Sequence, residues 1–163
     1  MNARAHIIGA AALALLTTSC SGGEKSRGGG GGDSDFECNE RSALYIVRGG
    51  FVGFEGGVTF TCTGSGPRVE RWRVAEQGEA RQVKSAKLST YEFDDTWKRI
   101  NSAGWQFMAE ECDNPDAAEG DPSYVIAVKD HRASNKANCQ GADKLPFPHG
   151  QLVDELDLRA AGL

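Results

Sequence analysis

Residues 21–35 read SGGEKSRGGGGGDSD, a run of glycine, serine and charge without one apolar side chain. Such a run cannot bury enough surface to offset its ordering entropy, so it behaves as a coil spanning about 20–23 Å r.m.s.. It divides the 163-residue chain into a leader before it and one folding unit after it, residues 36–163. A unit of that length buries a sizeable core as a single domain and is too short for two. Hydrophobic content of 39% and charged content of 25% are ordinary for a globular chain. The net charge of −5 argues against nucleic acid as a partner, because phosphate binding needs a basic face.

The leader reads MNARAHIIGAAALALLTTSC, with Arg4, an apolar run from Ile7 to Leu16, and small residues after it. This is the pattern of a secretory signal peptide, residues 1–19, whose apolar run is too short to span a bilayer. Leu16-Thr17-Thr18-Ser19-Cys20 resembles a bacterial lipobox, with Thr17 where the aliphatic residue usually stands. The resemblance implies lipidation at Cys20 and makes residues 20–35 a lipid-anchored linker. Anchoring is stable when two acyl chains act together. Ser21, in place of the aspartate that resembles an inner-membrane retention signal, implies the outer membrane of the cell envelope.

Four further cysteines, Cys38, Cys62, Cys112 and Cys139, lie in the folding unit. An even number in an exported domain predicts two disulfides, and four cysteines allow three connectivities. Cys38–Cys62 with Cys112–Cys139 is the preferred pairing, since each bridges neighbouring elements. A metal site built from cysteines with His131 or His149 is the rival. No C-x-x-C or H-x-x-x-H spacing supports it, so no metal and no cofactor is expected.

Ala43–Val47 (ALYIV) is a β-branched and aromatic run that predicts a strand. Val58–Cys62 alternates, with Val58, Phe60 and Cys62 on one face. After a turn at residues 63–67, Arg68–Val74 alternates again, with Val69, Trp72 and Val74 as its apolar members, completing a three-stranded antiparallel meander. Residues 75–87 are charged and predict a loop or frayed strand, and their basic residues, interleaved with glutamates, predict a solvated face.

Ser89 and Glu92 form a capping box, with Leu88 and Phe93 at the staple positions. Phe93, Trp97 and Ile100 follow at helical spacing, and Gly104 supplies a stop, so residues 90–103 predict an amphipathic helix. Trp105–Met108 is a short strand or the helix exit. Residues 124–128 (YVIAV) predict a strand and residues 133–139 a polar edge strand. Pro146 and Pro148 precede a final helix over residues 151–161, with Leu152, Val153, Leu156 and Ala160 inward. The order fits an α+β domain, an antiparallel sheet with helices packed on one face.

The glycine-rich segment Gly49–Gly57 carries Phe51 and Phe54 between five glycines. Two readings stay open for it. It is a bulged hairpin whose phenylalanines tuck into the core, or a loop that docks into a partner with Phe51 as anchor. Arg48-Gly49-Gly50-Phe51-Val52-Gly53-Phe54, directly after a short first strand, resembles the G-G-F-A-G segment of emfourin-like proteins. These are small α+β domains, and the characterised type inhibits thermolysin-like zinc metalloproteases. The resemblance implies a protein partner, a protease, met through Gly49, Gly50, Phe51, Gly53 and Phe54. The chain departs from that family in its lipid anchor, four cysteines and linker.

Glu110, Glu111, Asp113, Asp116, Glu119 and Asp121 crowd one loop, but their spacing does not match an EF-hand and Pro115 interrupts them. A solvated loop pinned by Cys112 is expected. Gly64-Ser65-Gly66 lacks a nucleophile elbow, and His131 and His149 are isolated in sequence, predicting surface or turn positions. Asp94 and Asp95 are explained by the helix dipole. The sequence therefore predicts no enzyme. It predicts a non-catalytic cell-envelope lipoprotein whose small disulfide-braced domain binds another protein, with metalloprotease inhibition as the alternative.

Overall fold

The first strand of the folding unit becomes the centre of its sheet. The computed structural model describes residues 40–49, 54–74, 79–113, 116–118, 120–141 and 144–163. Strands β1 (Ser42–Gly49), β2 (Phe54–Thr63), β3 (Gly66–Val74), β4 (Gln82–Lys87), β5 (Ser123–Lys129) and β6 (Ser134–Gln140) form one antiparallel sheet in the order β4-β3-β2-β1-β5-β6. The expected three-stranded meander thus runs on into β4. That strand is exposed except at Ala86, and its lysines suit an edge, where charge blocks pairing with another chain. β6 closes the other edge, as its polarity predicts.

Two helices, α1 (Thr90–Ser102) and α2 (His149–Arg159), pack against the sheet. Register places Ala43 beside Phe60 and Val128, and Tyr45 beside Val58 and Ile126, so these side chains share a face. Phe60 stacks on Phe93 of α1 with ring centroids 4.3 Å apart, and Phe93 continues to Trp97 at 6.1 Å. Tyr45 reaches Asp157 of α2 with a 2.6 Å hydrogen bond. Leu152, Leu156 and Ala160 complete the core from α2 as the sequence predicts. Arg71 of β3 also meets Asp157, at 2.7 Å.

Several local expectations are refined. Of the two readings of residues 105–108, the helix exit holds and the strand does not: residues 105–107 form a 3-10 turn entered through Gly104 at φ +76°, and the buried Trp105 donates its indole N–H to Asn101 at 2.8 Å. Helix α2 starts two residues early, at His149 behind Pro148. Val69 and Trp72 do not share a face, because they are three residues apart on a strand. Val69 joins the core, while Trp72 lies on the helix-free face under the Arg81 guanidinium, 3.8 Å from the ring centre. Gly57 is required where β2 crosses β1, since a Cβ there would collide with the Tyr45 carbonyl oxygen.

Cys112 and Cys139 form a disulfide, as paired from sequence. Cys62, fully buried, is also disulfide-bonded. The Cys38 half of the expected Cys38–Cys62 pair lies outside the described residues, as do the signal peptide, Cys20 and the linker.

Candidate functional site

The ends of β1 and β2 build the segment singled out from sequence. The two strands are paired antiparallel, and their last paired residues are Gly49 and Phe54. Gly50, Phe51 and Gly53 are outside the described residues. Gly49 has φ +130°, and a Cβ on it would lie 2.9 Å from Pro122 Cα and 3.0 Å from the Asp121 carbonyl oxygen. Glycine is therefore needed twice over, for its backbone angle and for the close approach of the 121–122 backbone. Arg48 and Glu55 pair across the hairpin at 3.2 Å.

Phe54 is 37% exposed and lies along the strand over Gly56, where a Cβ would meet its ring. The expectation that both phenylalanines tuck into the core fails at this residue. Phe54 opens β2 four residues before Val58, the first β2 side chain in the core cluster, and its own ring is not part of that cluster. The end of the sheet that carries it also holds the starts of β4 and β5 and the ends of β3 and β6.

The acidic loop packs against this same end. Its chain runs beside β6 in one parallel bridge, Glu111 to Asn138. The Asn138 N–H donates to the Glu110 carbonyl at 2.8 Å, and the Cys112 N–H donates to the Asn138 carbonyl at 3.2 Å. Asp113 accepts the Gln140 N–H at 3.0 Å and Asp121 the Ala118 N–H at 2.7 Å. Asp113 thus ties the loop to the end of β6, and Asp121 serves the loop's own backbone. Glu119 lies outside the described residues.

Cys139 stands on the helix face of β6, level with Tyr124 and Val47. Beneath it lies His149, the first residue of α2, which the sequence predicted at the surface and which is 2% exposed. A ring nitrogen of His149 and the sulfurs of Cys112 and Cys139 all lie within 4.8 Å of one another. Among the described residues this is the group where three histidine, cysteine or carboxylate atoms converge closely enough for a metal ion. Spacing along the chain missed it, because the three come from a loop, an edge strand and a helix start brought together by the sheet. His131 is exposed, as predicted, and accepts from the Arg132 guanidinium at 2.9 Å.

On the helix-free face, Ser42, Leu44, Ala127, Lys129 and Lys136 line a shallow groove of about 620 Å³ bordered by Glu110 and Glu111. It holds charge of both signs. No protein-family model matches the chain, and no curated protein matches it in sequence.

Proposed function

We propose that the chain is a non-catalytic lipoprotein of the bacterial cell envelope. Cys20 carries the lipid, residues 20–35 are the tether, and the 36–163 domain binds another protein through the Gly49–Phe54 hairpin. The observation that carries the reading is the exposed Phe54 at the base of a hairpin whose Gly49 is seated on the Asp121–Pro122 backbone. An aromatic side chain on a rigid mount loses little entropy on binding, which is what a docking loop requires. A second brace, Cys38–Cys62, belongs to the proposal and fastens the tethered end to β2.

Inhibition of a thermolysin-like metalloprotease is the second reading. It is favoured by one observation: Gly49 and Phe54, the described ends of the segment that resembles the emfourin-like one, close the antiparallel pair β1–β2 at one end of the sheet.

The test titrates the full chain against a thermolysin-type protease, with Phe51→Ala and Phe54→Ala alongside. Tight inhibition lost in folded variants assigns the hairpin as the inhibitory site. No inhibition at micromolar chain removes the protease reading. Capture of envelope proteins by the wild-type chain and not by the variants then tests the broader one. Labelling by a palmitate analogue that vanishes in Cys20→Ala tests the anchor, and persistent labelling overturns it.

A further inference from the structure

The geometry points to a second state of the Cys112–Cys139 pair: as a dithiol, together with His149, it forms a binding site for one zinc-type divalent cation. The two sulfurs and a ring nitrogen already lie within 4.8 Å of one another. His149 supplies the stronger argument. Its Nε2 faces the Ala109 carbonyl at 3.0 Å, and a carbonyl oxygen only accepts, so Nε2 carries the proton. Nδ1 is then a bare lone pair, and among the described residues it is buried without a hydrogen-bond partner, in a residue 2% exposed. An orphaned buried acceptor beside two sulfurs needs a partner that accepts electron density, and a cation is one. The Nε2–H to carbonyl bond is also how metal-binding imidazoles are oriented and made more basic.

The protein holds the two cysteines together without their covalent bond. Their Cα atoms are 4.6 Å apart, and the flanking ladder of Cys112 N–H to Asn138 and Asn138 N–H to Glu110 does not involve sulfur. Two thiolates and one neutral imidazole form a soft, carboxylate-free set that suits zinc(II) and excludes calcium or magnesium. Charge balances as well, since two thiolates neutralise a divalent ion in a largely buried place. Cys112 is only half-buried, which leaves an approach for the ion and room for a water as the fourth ligand.

The chemistry proceeds in two steps. A dithiol reductant gives two electrons and two protons to the Cys112–Cys139 bond, yielding two thiols while the reductant closes to its own disulfide. The cation then displaces both thiol protons into water and gains Nδ1 without a proton change.

The experiment uses the full chain reduced by a phosphine and titrated with cobalt(II) as the spectroscopic stand-in for zinc. The expected result is one equivalent bound, with sulfur-to-cobalt charge-transfer bands, release of two protons per ion, and bleaching by zinc. The oxidised chain should show no bands. Cys112→Ser, Cys139→Ser and His149→Gln should each weaken binding by at least about tenfold, with circular dichroism reporting the fold of every variant. The same reductant frees Cys62, so bands that persist in the double Cys112→Ser/Cys139→Ser variant would put the ion elsewhere and overturn the assignment. Absence of bands at millimolar cobalt in the reduced chain overturns it too, whether that chain stays folded or unfolds and is not restored by the ion. This site does not depend on the hairpin reading, and loss of either leaves the other standing.

Discussion

The two helices cover the same sheet, yet they are specified differently. Helix α1 opens on a complete capping box: the Ser89 N–H donates to Glu92 at 2.9 Å and the Glu92 N–H to Ser89 Oγ at 3.2 Å. One clean stripe, Phe93, Trp97 and Ile100, then faces the core. Helix α2 has Pro148 at its N-cap and no side-chain cap. Its polar anchors come from far along the chain: Asp157 from Tyr45 and Arg71, Arg159 from Glu92. Local signals start α1, and the finished sheet fixes α2. Helices too short to persist alone draw most of their stability from packing, so even α1 should depend more on its stripe than on its cap.

That expectation gives the largest effect. Phe93 lies between Phe60 and Trp97 with no exposure, and the Arg41 guanidinium is 5.5 Å from its ring centre. Phe93→Ala should cost about 3–5 kcal/mol in urea unfolding, as large-to-small changes at buried aromatics do. A loss below about 1 kcal/mol, the size of a cap, would mean that local signals hold α1 as well as start it, and would sharpen the contrast with α2.

Asp157→Ala tests the other helix with a smaller effect. The carboxylate accepts from Tyr45 at 2.6 Å and Arg71 at 2.7 Å, but its side chain is 44% exposed. The expected cost is about 1–2 kcal/mol, since water takes over part of the lost bonding. Burial, then the Asp157 hydrogen bond, holds the Tyr45 hydroxyl well above the usual tyrosine range, so it stays a donor throughout neutral pH. Hydrogen exchange should speed up along residues 152–158 while amides of residues 96–100 keep their protection. Equal acceleration in both helices would make them one cooperative unit.

The same contrast explains what could be read from the chain alone. The β-branched run of β1, the alternation of β2 and the capping box are local patterns, and each yielded its element. Strand β4 was left undecided between loop and frayed strand because its stability comes from pairing with β3, which leaves no apolar alternation to see. His149 escaped for a tertiary reason: one histidine after a proline has no period, and only the folded sheet brings it under Cys139. The hairpin at Gly49–Phe54 was half legible. Glycine density marked the position, but whether Phe54 joins the core depends on tertiary packing, and no neighbouring residue encodes that.

Glu92 is where the two helices meet, and it offers the finest test. Its carboxylate accepts the Ser89 backbone N–H, then bonds Arg159 of α2 and the Ser89 hydroxyl, and these together lower its pKa to about 2. In the unfolded chain the group has its ordinary value of 4.5, so the native state binds fewer protons than the unfolded state between the two values. The ionised carboxylate therefore contributes its full stabilisation above about pH 4.5 and loses it progressively as pH falls towards about 2. Glu92→Gln, which cannot ionise, should flatten the fall of melting temperature across that window relative to wild type. Ser89→Ala, which removes the hydroxyl but keeps the backbone N–H, should flatten it less, and Arg159→Gln should flatten it while leaving the α1 cap intact. If Arg159→Gln left the acid slope unchanged, the depression would belong to α1 alone, and the Glu92–Arg159 pair would contribute nothing to joining the two helices.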